Sequence, residues 1–175
     1  MNDYLKKIKL AQEINIELQI SKSDFTKKFR ENVDESDLGF EPFEVFTSSK
    51  NEYKGNIENN RFELKKRRKL FDTNYSFAKA TGIFVQETDK LIIKTLISGF
   101  QKKMLFFVGF LVFFYAIFLS SIFLADDNAP KIFILPFLLF HAALMLGIPY
   151  FMMKRSVKRM IYDLERDFHY WVTKN

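Results

Sequence analysis

Up to Gln101, apolar positions alternate with polar ones; beyond it they run together. Ile14, Ile16, Leu18 and Ile20 alternate with Asn15, Glu17 and Gln19, the period of a strand with one buried face. Ser21 and Ser23 offer N-caps, and Phe25 and Phe29 stand at i and i+4, which predicts a short helix over 24–32. Asp34 to Pro42 and Ser48 to Asn51 read as loops, with Gly39 and Pro42 as breakers. An extra strand fits between them, near 44–47. Strands are then predicted at 53–58 and 61–71, the second with Phe62, Leu64 and Leu70 on one face. Asn59-Asn60 joins them, because Asn tolerates positive φ. After a turn at 72–74, a strand at 75–86 sets Tyr75, Phe77, Ile83 and Val85 against Ala78, Ala80 and Gly82, a small-residue face that admits a close neighbour. A turn at 87–89 and a strand at 91–98 complete an α+β domain. Its expected sheet is antiparallel and four- to five-stranded, with one short helix.

Met104 to Ala125 and Ile132 to Met153 carry no charge. Each is roughly 33 Å long as a helix, enough to cross a ~30 Å hydrocarbon core. The intervening loop at 126–131 is too short for anything but an antiparallel hairpin. The expected order is therefore a domain at 1–103, spans at 104–125 and 132–153, and an amphipathic helix at 154–175. In that last helix Val157, Met160, Ile161, Leu164, Phe168, Trp171 and Val172 form one stripe. Lys158, Arg159, Asp163, Arg166 and Asp167 lie on the opposite face. The stripe can cover the thin sheet or lie at the membrane interface with Tyr170 and Trp171 at headgroup depth; covering the sheet is the simpler use.

Charge sets the orientation. Lys102 and Lys103 precede the first span and Lys154, Arg155, Lys158 and Arg159 follow the second. The loop holds Asp126 and Asp127 against Lys131. The positive-inside rule places both termini in the cytoplasm, in a multi-pass protein of the cytoplasmic membrane. The N-terminus lacks a long apolar core and a small-residue cleavage site, so no signal peptide is expected. Apolar residues make up 48% of the 175 positions, yet mean hydropathy is only −0.10, as this segregation requires.

The residues Tyr53-Lys54-Gly55-Asn56-Ile57, Phe62-Glu63-Leu64, Arg67-Arg68, Asn74-Tyr75-Ser76-Phe77 and Gly82 resemble a pattern in uncharacterised small bacterial two-span membrane proteins. The resemblance implies a cytoplasmic β-rich domain beside two spans. It implies no activity, cofactor or site residue.

Candidate chemistry is sparse. With Cys 0 and His 2, disulfides and thiolate sites are excluded and a His-based metal cluster has almost no material. No phosphate-binding Gly loop or nucleophile constellation is present, so an enzyme and a cofactor are not expected. His141 lies about 15 Å beyond Lys131 along the second span, near the midplane, where an ionisable group suggests function. Folding the hairpin about Asn128 puts Tyr115 at the same depth. A Tyr115–His141 hydrogen bond is expected, as interhelical glue or as part of a proton or ligand site. Ser120 and Ser121 are other partners, or bond back to their own helix.

Lys65, Lys66, Arg67, Arg68 and Lys69 form a basic run. On a strand its members point to alternate faces, which argues against a flat nucleic-acid patch. Together with Lys102, Lys103, Lys154 and Arg155 it is a candidate contact for anionic lipid, each residue near the surface contributing about 1 kcal/mol. A solvated strand face is the plainer use. Two functions follow: a membrane-anchored adaptor or accessory subunit with a protein partner, or a ligand-sensing effector whose spans assemble into a homo-oligomeric pore. A third, a peripheral reader of anionic lipids, rests on the basic run.

Overall fold

The computed structural model describes residues 2–39, 44–47, 49–69, 76–101, 103–124 and 131–174. The turn at 72–74, Lys102 and the loop at 126–130 lie outside them. The chain forms two compact units, Met1–Phe100 with Met153–Asn175, and Gln101–Met152.

The first unit begins with a short helix, α1 (Asn2–Lys7), then β1 (Ala11–Leu18), α2 (Lys22–Asn32) and β2 (Val33–Glu35). A 3-10 turn at Glu44–Phe46 precedes β3 (Tyr53–Glu58), β4 (Arg61–Lys66), β5 (Lys79–Gln86) and β6 (Leu91–Ser98). The sheet order is β1-β6-β5-β4-β3-β2. It has six strands, and β2 runs parallel to β3 with Val33 opposite Tyr53. The expected antiparallel sheet of four to five strands is corrected in both respects. The cause is local: Val33 caps α2 in extended geometry (φ −127°, ψ 125°), so the helix empties directly into a strand too short to show an alternating pattern.

Three other boundaries move for similar reasons. The segment near 44–47 is a turn, which turns Glu44 inward: its Oε2 lies 3.0 Å from Lys54 Nζ, both side chains buried. Strand β4 ends at Lys66; one rung beyond, the Arg67 N–H still bonds Glu52 O, and its guanidinium reaches Asp34. Strand β5 starts only at Lys79, since the Phe77 N–H donates to Ser156 Oγ at 3.2 Å. The Asn59 turn takes the positive φ its residue tolerates, 53°.

Ile16 and Leu18 pair with Ile93 and Leu91, and Phe62 and Leu64 pair with Gly82 and Ala80, all facing the core. The small face of β5 is the buried one. The neighbour it admits is Phe62; a Cβ on Gly82 would stand 2.5 Å from that ring. Two helical segments cover this face. Helix α2, capped by the Ser21 hydroxyl accepting from Asp24 N, contributes Phe25 and Phe29. Helix α4 (Lys131–Thr173) contributes Val157, Met160, Leu164, Phe168 and Trp171 from its C-terminal part. The stripe therefore covers the sheet. Expected as separate elements, the second span and the tail helix are one continuous helix.

In the second unit α3 (Lys103–Leu124) and the first part of α4 bury Leu111 and Leu138. Both helices are long and apolar enough to cross a membrane, with mean hydropathy 2.5 and 1.9, and only 6% of each apolar window is buried. The core helix of a water-soluble fold would be mostly covered; here Phe106, Phe110, Phe113, Phe137, Phe140 and Phe151 stand exposed.

Candidate functional site

Within the second unit a polar contact joins α3 to α4. Tyr115 lies one turn after Leu111 on α3, and His141 three residues after Leu138 on α4, so each polar residue shares a face with a buried leucine. Tyr115 Oη approaches His141 Nδ1 to 2.7 Å, with the rings inclined at 72°. Phe137 stacks on the imidazole, centroids 6.4 Å apart. Ser120 bonds Ala116 O at 2.8 Å and Ser121 bonds Phe118 O at 2.7 Å, so both hydroxyls are satisfied within their own helix. The phenol and imidazole satisfy one another in apolar surroundings. A double-mutant cycle with Tyr115→Phe and His141→Phe is expected to give a coupling of about 0.6 kcal/mol, measured as the unfolding free energy of the chain in bicelles. Zero coupling would mean that the contact does not hold the helices together.

The basic run does not assemble as a patch. Lys66 Nζ is 2.9 Å from Asp163 Oδ2 and 3.4 Å from Glu52 Oε2. Arg67 pairs with Asp34 and donates to Thr47 O. The Arg68 N–H bonds Glu44. Lys66 and Arg67 are thus engaged in ion pairs of the fold. Lys65 is half-buried and Lys69 exposed, on strand β4 and just beyond it. Lys103 and Arg155 are exposed, Lys154 half-buried.

The ion pairs were not legible as pairs in the sequence. Asp163 and Asp167 fall on the polar side of the tail helix by periodicity, yet Asp163 is 5% exposed. They flank the apolar stripe and aim at the sheet: Tyr53 Oη donates to Asp167 Oδ2 at 2.6 Å, beside the Lys66–Asp163 bridge. Burial and the Asp167 carboxylate push the Tyr53 phenol well above its usual range. Burial works to lower the Lys66 ammonium, but Asp163 and Glu52 outweigh it and the net direction is up. At Asp34, burial is likewise outweighed, by hydrogen bonds from Ser49 and Asn51 and by Arg67, and the carboxyl is held below its usual range. The signal available beforehand was the i, i+4 spacing of two acids at the margin of an apolar stripe. Among the described residues, no group of three His, Asp or Glu is placed to hold a metal ion.

No protein-family profile matches this chain, and neither the curated proteins nor the solved structures include one detectably similar to it.

Proposed function

We propose that this chain is a non-enzymatic adaptor or accessory subunit, held in the cytoplasmic membrane by a two-span hairpin, whose sheet unit binds a protein partner on the cytoplasmic side. The observation that carries the reading is the sheet itself. One face is sealed by α2 and α4, while Ile83 on the other stands 39% exposed. A stable sheet that leaves a partly apolar face uncovered has surface to offer a partner. Two helices with uncovered apolar surface supply the anchor. Lys103, Lys154 and Arg155 at their ends favour cytoplasmic termini.

The Tyr115–His141 contact favours a second reading, a ligand-sensing effector whose spans oligomerise into a pore. One measurement separates the two: the mass of the native complex after gentle detergent extraction, with the identity of its chains. The adaptor reading expects a stoichiometric foreign chain. A homo-oligomer of several copies and nothing else would overturn it in favour of the effector.

A further inference from the structure

The open part of the sheet's outer face carries an ordered row of side chains. Cross-strand pairing sets Arg61 of β4 opposite Ile83 of β5, and Ile83 opposite Lys94 of β6. In the next row Thr81 pairs with Leu96. These side chains line an open groove of about 570 Å³. Val85 and Ile92, paired with one another, extend the apolar strip beyond Ile83.

Charge on this face is unevenly compensated. The acids each have a partner: Glu13 holds Lys6 at 2.7 Å, Glu17 holds Lys90 at 2.9 Å, and Glu63 holds Lys79 at 2.6 Å. Glu58, opposite Arg61, accepts from Asn56. The side chains of Arg61 and Lys94 have no hydrogen-bond or ion-pair partner among the described residues. The groove therefore presents two cations that form no close ion pair, with an isoleucine between them. Strands stand about 4.8 Å apart, so these cations are rooted about 10 Å apart, with Ile83 midway.

We propose that this groove binds an amphipathic helix of a partner protein, with acidic residues at i and i+7 and an apolar residue at i+3 or i+4. Seven residues of helix rise about 10.5 Å, which matches the spacing of Arg61 and Lys94, and the intermediate apolar side chain falls on Ile83. A second copy of the chain is a poor occupant. In α2, Asp24 and Glu31 are seven apart, but Lys27 and Lys28 stand midway. In α4, Asp163 and Asp167 are bound to Lys66 and Tyr53. The proposal rests on the adaptor reading and gives its partner a chemistry.

The test uses the full chain in phosphatidylcholine nanodiscs and fluorescein-labelled synthetic helical peptides, read by anisotropy. One peptide has Glu at i and i+7 with Leu midway; a second scrambles that order; a third replaces each Glu by Lys. The first is expected to bind, and R61E/K94E to weaken it at least 10-fold while turning preference toward the lysine peptide. That inverted preference also shows the variant to be folded. No binding, equal binding of the scrambled peptide, or an unaffected variant would overturn the proposal. So would loss of peptide binding in discs containing anionic lipid at matched ionic strength, which would assign the face to the membrane. If R61E/K94E retains a stoichiometric native partner, the proposal fails and the adaptor reading stands. If the unaltered chain has no partner, both fail.

Discussion

Phe168→Ala is expected to destabilise the sheet unit by about 3–5 kcal/mol, a large part of the 5–15 kcal/mol typical of a folded domain. Phe168 is fully buried and sits at the centre of an aromatic cluster. Its ring lies 5.3 Å from Phe25, 6.1 Å from Phe62 and 5.1 Å from Trp171 by centroid, so it joins α2, β4 and its own helix. Removing it opens a cavity bounded by rings from three elements, and a site so built collapses poorly. The chain has Trp 1, and Trp171 is 7% exposed within the same cluster. Its emission is therefore a specific reporter of denaturant unfolding in detergent. A loss below about 1 kcal/mol, the scale of a surface substitution, would mean that the C-terminal part of α4 is not integral to the core. The neighbouring Tyr170, 56% exposed, is the control; Tyr170→Ala is expected to stay near the surface scale.

That contrast also shows what the sequence discloses. The tail stripe is legible because helical periodicity sorts Phe168 from Tyr170 without knowing what the stripe covers. Strands β3 and β6 start and stop where their patterns do, at Tyr53–Glu58 and Leu91–Ser98. Local chemistry suffices for the Asn59 turn as well. What escapes is whatever a distant partner decides. Val33–Glu35 becomes a strand because β3 lies beside it, and three residues carry no period of their own. Glu44 leaves its expected strand because Lys54 is there to be paired. Asp163 is buried because Lys66 reaches it.

The two polar sites differ in the same way. Tyr115 and His141 sit equally far from the bend, so depth counting along two straight helices places them together; their 2.7 Å approach is the geometry that counting implies. The groove on the sheet could not be anticipated. Its row of Arg61, Ile83 and Lys94 draws one residue from each of three strands. The alternation within each strand says only which residues share a face. It says nothing of register, nor of which acids have already found lysines elsewhere.

Lys66→Met is expected to cost about 3 kcal/mol, the lower end for removing one partner of a buried ion pair. The Asp163 side chain is 7% exposed and loses its 2.9 Å ammonium; among the described residues Arg166 at 3.8 Å is the cation that remains beside it. The double variant Lys66→Met/Asp163→Leu removes the stranded charge and is expected to recover most of the loss, since apolar replacements of a buried pair are often neutral or better. If the double variant is no more stable than the single one, packing rather than charge accounts for the loss. Alkaline titration supplies an independent check. The Lys66 ammonium and the Tyr53 phenol both titrate above their ordinary values of 10.5 and 10.0 in the folded chain. A group whose folded value is raised contributes stability that is complete below the unfolded value and declines as pH rises through the folded one. The native chain is therefore expected to lose stability above about pH 10, the region of both unfolded values. Lys66→Met should lose less over the same interval, because its part of the linkage is gone, and Lys66→Met/Tyr53→Phe least. Parallel declines in all three, followed by Trp171 emission, would show that neither group couples the sheet to α4.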